Sequence, residues 1–341
     1  MFRFVFSKLL YLAFVYLFAS GALFLAMKSI PEDPIELKFE KFPDPEQIAA
    51  ERERMGLDRS WLYQYGLFHR KFLSGDWERS LQTGRLATED VKLFFPATVE
   101  LSLLAMILGV FLGSSAALYA RVSPGRWAKA IAMSFGTIGL TVPIFWIGLL
   151  ALVVGALWLG IFPLGGRFDL AAIPPPSRTG FLLIDSALAM DWQSWGMAAR
   201  YLTLPALCLS VFPAANVSSV LYARLNEPQI NALYTALQAR GFGPIRIVFR
   251  HLLRVAGAPV ATVIGTSFGA LLGGAFLTET VFSWPGIGRY VVTAIIDRDL
   301  FVAQYLLLML IMLVFAVAFL SDVVARWLDV VSGSNEKGRG A

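Results

Sequence analysis

The sequence holds a single cysteine, Cys208, and only two histidines, His69 and His251, far apart in the chain. One thiol excludes an internal disulfide framework, and two distant imidazoles give no metal-ligand spacing, so no metal site is expected. No GxxxxGK[ST] phosphate loop occurs. Gly241-Phe242-Gly243 runs into Pro244-Ile245-Arg246, without the third glycine of a dinucleotide fingerprint. The chain is therefore expected to carry no cofactor of its own. Charge is scarce too: 16% of residues are charged, 57% are hydrophobic and the mean hydropathy is +0.65, too apolar for an ordinary soluble domain. The residues that produce the net charge of +5 cluster in short loops between apolar runs, which suits orientation in a bilayer rather than nucleic-acid binding.

What is present is a succession of apolar segments. Leu9 to Met27 is uncharged and long enough to cross a hydrocarbon core of about 30 Å, with Arg3 and Lys8 before it and Lys28 after. It exceeds the length of a signal-peptide core and lacks a small-x-small cleavage site, so it is expected to be an uncleaved first span over 1–27. Residues 28–95 are polar and mixed in charge, as in a folded extracytoplasmic segment. Asp44-Pro45-Glu46 signals a helix start, and Trp61, Tyr65, Phe68 and Phe72 recur at helical spacing.

Pro96 is expected to open a second span, about Ala97 to Ala120, with Glu100 near its outer end and Gly109 and Gly113 spaced for close helix packing. An ionisable group at that depth either serves function or pairs with a neighbouring loop. The third span, about Ala130 to Gly155, contains Gly136, Gly139 and Pro143, which predict a kink. An outside loop is expected from Trp158 to Arg200, then a fourth span over Tyr201 to Leu221 despite Pro205 and Pro213. The fifth span, Val260 to Leu277, carries Gly265, Gly269 and Gly273 on one face, a stripe suited to a sister subunit or to a translocation path. A third outside loop, Glu279 to Asp299, precedes a sixth span at about Val302 to Leu320 and a polar tail, 331–341, with Lys337 and Arg339.

Six spans place both termini on one side. The short loops of that side hold Arg3, Lys8, Arg121, Arg126, Lys129, Arg224, Arg240, Arg246, Arg250, Arg254 and Arg326, so both ends are expected in the cytoplasm. The longest polar interruption there, within 225–256, reads as a helix from Gln229 to Arg240, a break at Gly241 and a second start at Pro244. By physics alone this basic element either anchors on anionic lipid or lodges in a soluble partner.

The spacing of Ala236, Ala239, Arg240, Gly241, Arg250, His251, Arg254 and Pro259 is similar to the EAA coupling loop of inner-membrane subunits of ABC importers. Thr235 stands where that family has an acidic residue, and Leu237 where it has its second alanine. ETVFSWPGIGR (Glu279 to Arg289) resembles the segment after the fifth span in B-type permeases of dipeptide and oligopeptide importers. So do SGDWERSL (Ser74 to Leu81), FPATVELSL (Phe95 to Leu103), VPIFWIGLL (Val142 to Leu150) and TGFLLIDS (Thr179 to Ser186).

The resemblance implies an all-α membrane protein of the type I ABC importer permease fold, with a five-helix core over 96–330, in a bacterial inner membrane. It implies a second homologous permease, two ATPases that bind ATP and Mg, an external substrate-binding protein, and short peptides as cargo. Nickel, metal chelates or haem are the alternative cargo. It also implies ATPase coupling through Ala236, Ala239, Arg240, Gly241, Arg250, His251 and Arg254. Glu279, Phe282, Trp284, Pro285 and Gly286 are candidates for an outer gate or binding-protein contact, Trp284 otherwise serving as an interfacial anchor. Glu100, Pro143, Gly265, Gly269 and Gly273 are candidates for the translocation path, with Glu100 and Glu279 facing a peptide amine. A proton-coupled carrier is disfavoured by the near absence of acidic or His relays from the spans, and an intramembrane enzyme by the lack of a metal motif or paired catalytic carboxylates.

Overall fold

A computed structural model describes residues 2–30, 35, 45–123 and 125–331. Asp44, Lys337 and Arg339 lie outside the described residues. Among those described, the architecture is all-helical apart from one isolated antiparallel bridge, Arg79 to Leu86.

The first helix, α1 (Phe2–Lys28), is uncharged from Leu9 to Met27 and ends at Lys28, where a cation suits the negative end of the helix dipole. Two short helices follow, α2 (Pro45–Arg54) and α3 (Trp61–Ser74). Ser60 caps the start of α3 and Gly75, at φ 74°, closes it. The aromatic stripe of α3 turns inward: Tyr65 hydroxyl lies 2.9 Å from Ser20 Oγ on α1, and Phe68 and Phe72 stack near Tyr305. Trp61, the first member of the stripe, remains 63% exposed.

The second long helix, α4 (Ala87–Val122), starts two turns before Pro96, which sits buried in its interior rather than opening it. The polar residues that make 87–95 look extramembrane are helix-start residues: Glu89 and Asp90 occupy the first turn. Next come α5 (Arg126–Thr141), α6 (Ile144–Ala151) and a π-helical stretch, Leu152–Trp158. The expected kink is a full break, with Pro143 preceding α6. Gly136 and Gly139 have another use, since a Cβ at either would collide with Ser219 or Ala215 of the fourth long segment. That segment's surroundings comprise α7 (Leu182–Leu188) and α8 (Trp192–Leu225). Helix α8 begins nine residues before the expected Tyr201 and runs through both prolines. Its exposed first turns look like loop because Gln193, Ser194 and Arg200 interrupt the apolar pattern, yet Asp191 caps them by accepting from Ser194 N at 3.0 Å.

The stretch expected to face the cytoplasm folds as α9 (Pro228–Ala239) and α10 (Pro244–Ile247), the latter passing through a π turn, Val248–Leu252, into α11 (Leu253–Gly274). The expected third loop is a helical hook of α12 (Phe276–Val281) and α13 (Ile287–Ile296), before α14 (Leu300–Val331).

Among the described residues, four helices are long and apolar enough to cross a membrane: Val5–Lys28, Ala87–Val122, Trp192–Leu225 and Leu300–Trp327. Ile144–Trp158 and Pro259–Gly274 are shorter apolar pieces. Small residues set the packing. Gly109 meets Pro213 and Gly113 meets the backbone of Ala214, so α4 and α8 lie in close contact. The stripe of Gly265, Gly269 and Gly273 faces Ser321 and Val314 of α14 in the same chain. Within this chain the three glycines therefore form a seam between α11 and α14.

Candidate functional site

All five sequence blocks converge at the end of the bundle opposite α9. The centre is Glu279, fully buried on α12. Its carboxylate accepts from Thr98 Oγ1 on α4 and from Arg289 N at 2.8 Å, while Thr98 Oγ1 accepts from Ile287 N at 2.8 Å. Carboxylate and hydroxyl together satisfy amides in the first turn of α13, where negative charge is favoured. This explains the two glycines of WPGIG. A Cβ on Gly286 would overlap the Glu279 carboxylate, and one on Gly288 would lie 2.9 Å from Glu279 Oε2.

Trp284 is 1% exposed, and its indole N–H donates to Ala97 O at 3.0 Å. The interfacial-anchor reading of Trp284 is therefore corrected. Burial of Glu279, Phe282, Trp284 and Gly286 gives them the task of holding the hook, leaving exposed Ser283 at its tip with φ 48°.

Glu100 lies one helical turn from Ala97, 8% exposed, and forms an ion pair with Arg167. It also accepts from Leu183 N at 2.8 Å, while Arg167 donates to Gly180 O at 2.8 Å. Asp185 fixes the adjoining turn by accepting from Thr179 N at 2.8 Å and Gly180 N at 3.0 Å. Of the two openings left by the sequence, Glu100 follows the pairing one. Both carboxylates, Glu100 and Glu279, have partners within the chain. From VPIFWIGLL, Gly148 packs on Phe282, where a Cβ would lie 3.2 Å from the ring, whereas Pro143 is exposed.

SGDWERSL joins at the same end of the bundle. Trp77 stacks on Tyr305 with ring centroids 5.4 Å apart, and Leu81 N donates to Asp299 at 2.7 Å. Asp90, fully buried at the start of α4, accepts from Arg85 Nε at 2.6 Å and Tyr290 hydroxyl at 2.7 Å.

At the other end, Ala236, Ala239, Arg240, Gly241 and Arg250 are exposed, and His251 is half-buried with its ring 5.9 Å from that of Phe242. Gly241 adopts φ 81°, and a Cβ there would meet nothing within 4 Å. The turn is thus an open, small-residue ridge with a basic flank. The side chain of Arg254 lies outside the described set. Not singled out from the sequence were Thr98, Arg167, Asp185 and Asp90. Arg167 carried a signal, being a cation in the sparsely charged loop after Trp158; Thr98 lies within FPATVELSL, where nothing singles it out from its neighbours.

Residues 109–330 match the family described as binding-protein-dependent transport system inner membrane component, and residues 1–85 match the N-terminal region described for such membrane components. The chain is 37% identical over 302 residues to a di/tripeptide transport system permease protein DppB of Pseudomonas aeruginosa, covering 88% of this chain and 90% of that protein. It is 32% identical over 300 residues to a dipeptide transport system permease protein DppB of Alkalihalophilus pseudofirmus, covering 88% and 90%. A probable D,D-dipeptide transport system permease protein DdpB of Escherichia coli is 32% identical over 310 residues, covering 90% of each chain.

Proposed function

The chain belongs to the binding-protein-dependent transport system inner membrane component family, and from that premise we propose that it is the permease subunit of an ATP-driven importer of dipeptides or short peptides. The observation that carries the cargo class is the 37% identity, over 88% of the chain, to a relative named for di/tripeptide transport.

In this reading the chain spans the membrane six times with both termini in the cytoplasm. The broken segment α5–α6 and the short α11 supply the two spans beyond the four long helices. A second homologous permease completes the path, an external binding protein delivers the peptide, and two ATPases bind ATP and Mg at the inner face. Ala236, Ala239, Arg240 and Gly241 form the ATPase contact, because a small-residue turn permits close approach and the arginine supplies a charge-assisted bond. Arg250, His251 and Arg254 flank it, where anionic lipid competes for the arginines. The hook of α12 and α13 is the outer gate, and the binding protein meets its exposed tip.

Closure of the ATPases moves the gate only if their two states bind different placements of α9 with different affinity. The test is uptake by proteoliposomes holding the full complex, binding protein outside and ATP inside. Labelled dialanine is expected to accumulate. Accumulation of nickel or haem with no uptake of any dipeptide would overturn the cargo assignment.

A further inference from the structure

We infer that Arg121 is a positioning residue for energy coupling: it pins the exposed helix α9 to the inner end of α4, so that α9 and the outer hook move as one linked unit. The inference rests on the coupling role proposed for α9.

Helix α9 is weakly seated. It buries only Ile230 and Leu237, in a cluster with Ala117, Leu221 and Leu225. Two apolar side chains limit how far α9 leaves the bundle but leave it free to roll about their line of contact. The polar attachment removes that freedom. Arg121, in the last turn of α4, donates from Nη2 to Asn231 Oδ1 at 2.9 Å, and its guanidinium lies 4.4 Å from the centroid of the Tyr234 ring. Asn231 and Tyr234 are three residues apart and so share one face of α9. Asn231 is itself held, donating from Nδ2 to Asn226 O at 2.9 Å. A planar guanidinium satisfies both contacts at once, bonding in its plane and stacking across it, which an ammonium does not do.

The same helix carries the outer contacts. Ala97 O receives the Trp284 indole, Thr98 holds Glu279, and Glu100 holds Arg167. From Thr98 to Arg121, α4 is unbroken over about 35 Å at 1.5 Å per residue. Its length lies against α8, with Gly109 and Gly113 seated on Pro213 and Ala214. A roll of α9 therefore reaches the hook through one helix, and Arg121 is the joint.

The test uses the whole complex in proteoliposomes and reads peptide imported per ATP hydrolysed, together with ATPase co-purification. Arg121→Met and the double variant Asn231→Ala/Tyr234→Leu are expected to keep their ATPases and to import ~5-fold fewer peptides per ATP, within the range for coupling residues. Tyr234→Phe, which keeps the ring, is expected to match the parent, and Arg121→Lys to fall between. A merely structural residue would lower complex yield and leave the ratio alone. Parental ratios in both pin-breaking variants would overturn the inference. If Arg121→Met does not reach the membrane, Tyr234→Leu against Tyr234→Phe decides, and equal ratios overturn it. Gly241→Trp separates the two levels. If that variant keeps its ATPases, the coupling role of α9 fails and Arg121 loses its task; if it loses them while Arg121→Met retains the parental ratio, only the joint is wrong.

Discussion

Replacing Thr98 by valine tests how much its hydroxyl contributes to holding the hook. Valine matches threonine in shape, so the change removes two hydrogen bonds and leaves packing nearly intact. The Thr98 hydroxyl donates to the buried Glu279 carboxylate and accepts from Ile287 N at 2.8 Å, and Thr98 is fully buried. The substitution strands a carboxylate oxygen and an amide. Each stranded group costs about 1–3 kcal/mol, so the pair costs about 4 kcal/mol. At about 2 °C per kcal/mol for a large chain, the apparent Tm falls by about 8 °C. Because a membrane complex unfolds irreversibly, parent and variant are compared at one scan rate, by intrinsic fluorescence in the same detergent. Thr98→Ser keeps both bonds and loses one methyl, which costs about 1 kcal/mol. If Thr98→Val and Thr98→Ser melt together, the hydroxyl does not hold the hook.

Gly265→Ala places a methyl against Ser321, so it should destabilise the chain by about 1–3 kcal/mol and be rescued by Ser321→Gly; loss of permease pairing without loss of chain stability would instead return the stripe to a subunit face. Arg167→Met strands the buried Glu100 carboxylate and should cost about 3–5 kcal/mol in a denaturation assay, with Glu100→Gln/Arg167→Met recovering most of it; equal single and double losses would contradict the pairing. Burial lowers the His69 pKa below its ordinary 6.5. The folded chain thus refuses a proton that the unfolded chain accepts, and stability is full above about pH 6.5 and declines as pH falls through 6.5 toward the folded value. Between about pH 7.5 and 5.5, the parent should lose more apparent Tm than His69→Gln, and equal losses would exclude His69 as the cause.

Segments that cross the bundle were legible wherever apolar residues ran uninterrupted, as in α1 and α14. Their ends were not, because Asp90 and Arg200 look like loop residues until their partners Tyr290 and Ile161 are seen, across 200 and 39 positions. The basic turn at Gly241 was legible from composition and spacing alone, since its features are local. The site around Glu279 was legible as motifs, but not as the contacts that hold it together. Glu279 stands out as a carboxylate in an apolar setting, but only the folded chain brings Gly286, Gly288 and Thr98 around it. The Gly265 stripe announces a close partner without naming it, because small-residue spacing is the same whether the neighbour is α14 or another subunit.

In the proposed cycle, ATP hydrolysis on partner subunits drives this chain through the α9 turn. The most direct measurement is dipeptide accumulation in proteoliposomes of the full complex, with ATP or a non-hydrolysable analogue enclosed, for the parent and for Gly241→Trp. Accumulation is expected only in the parent with ATP. Accumulation with the analogue, or at the parental rate in Gly241→Trp, would contradict it.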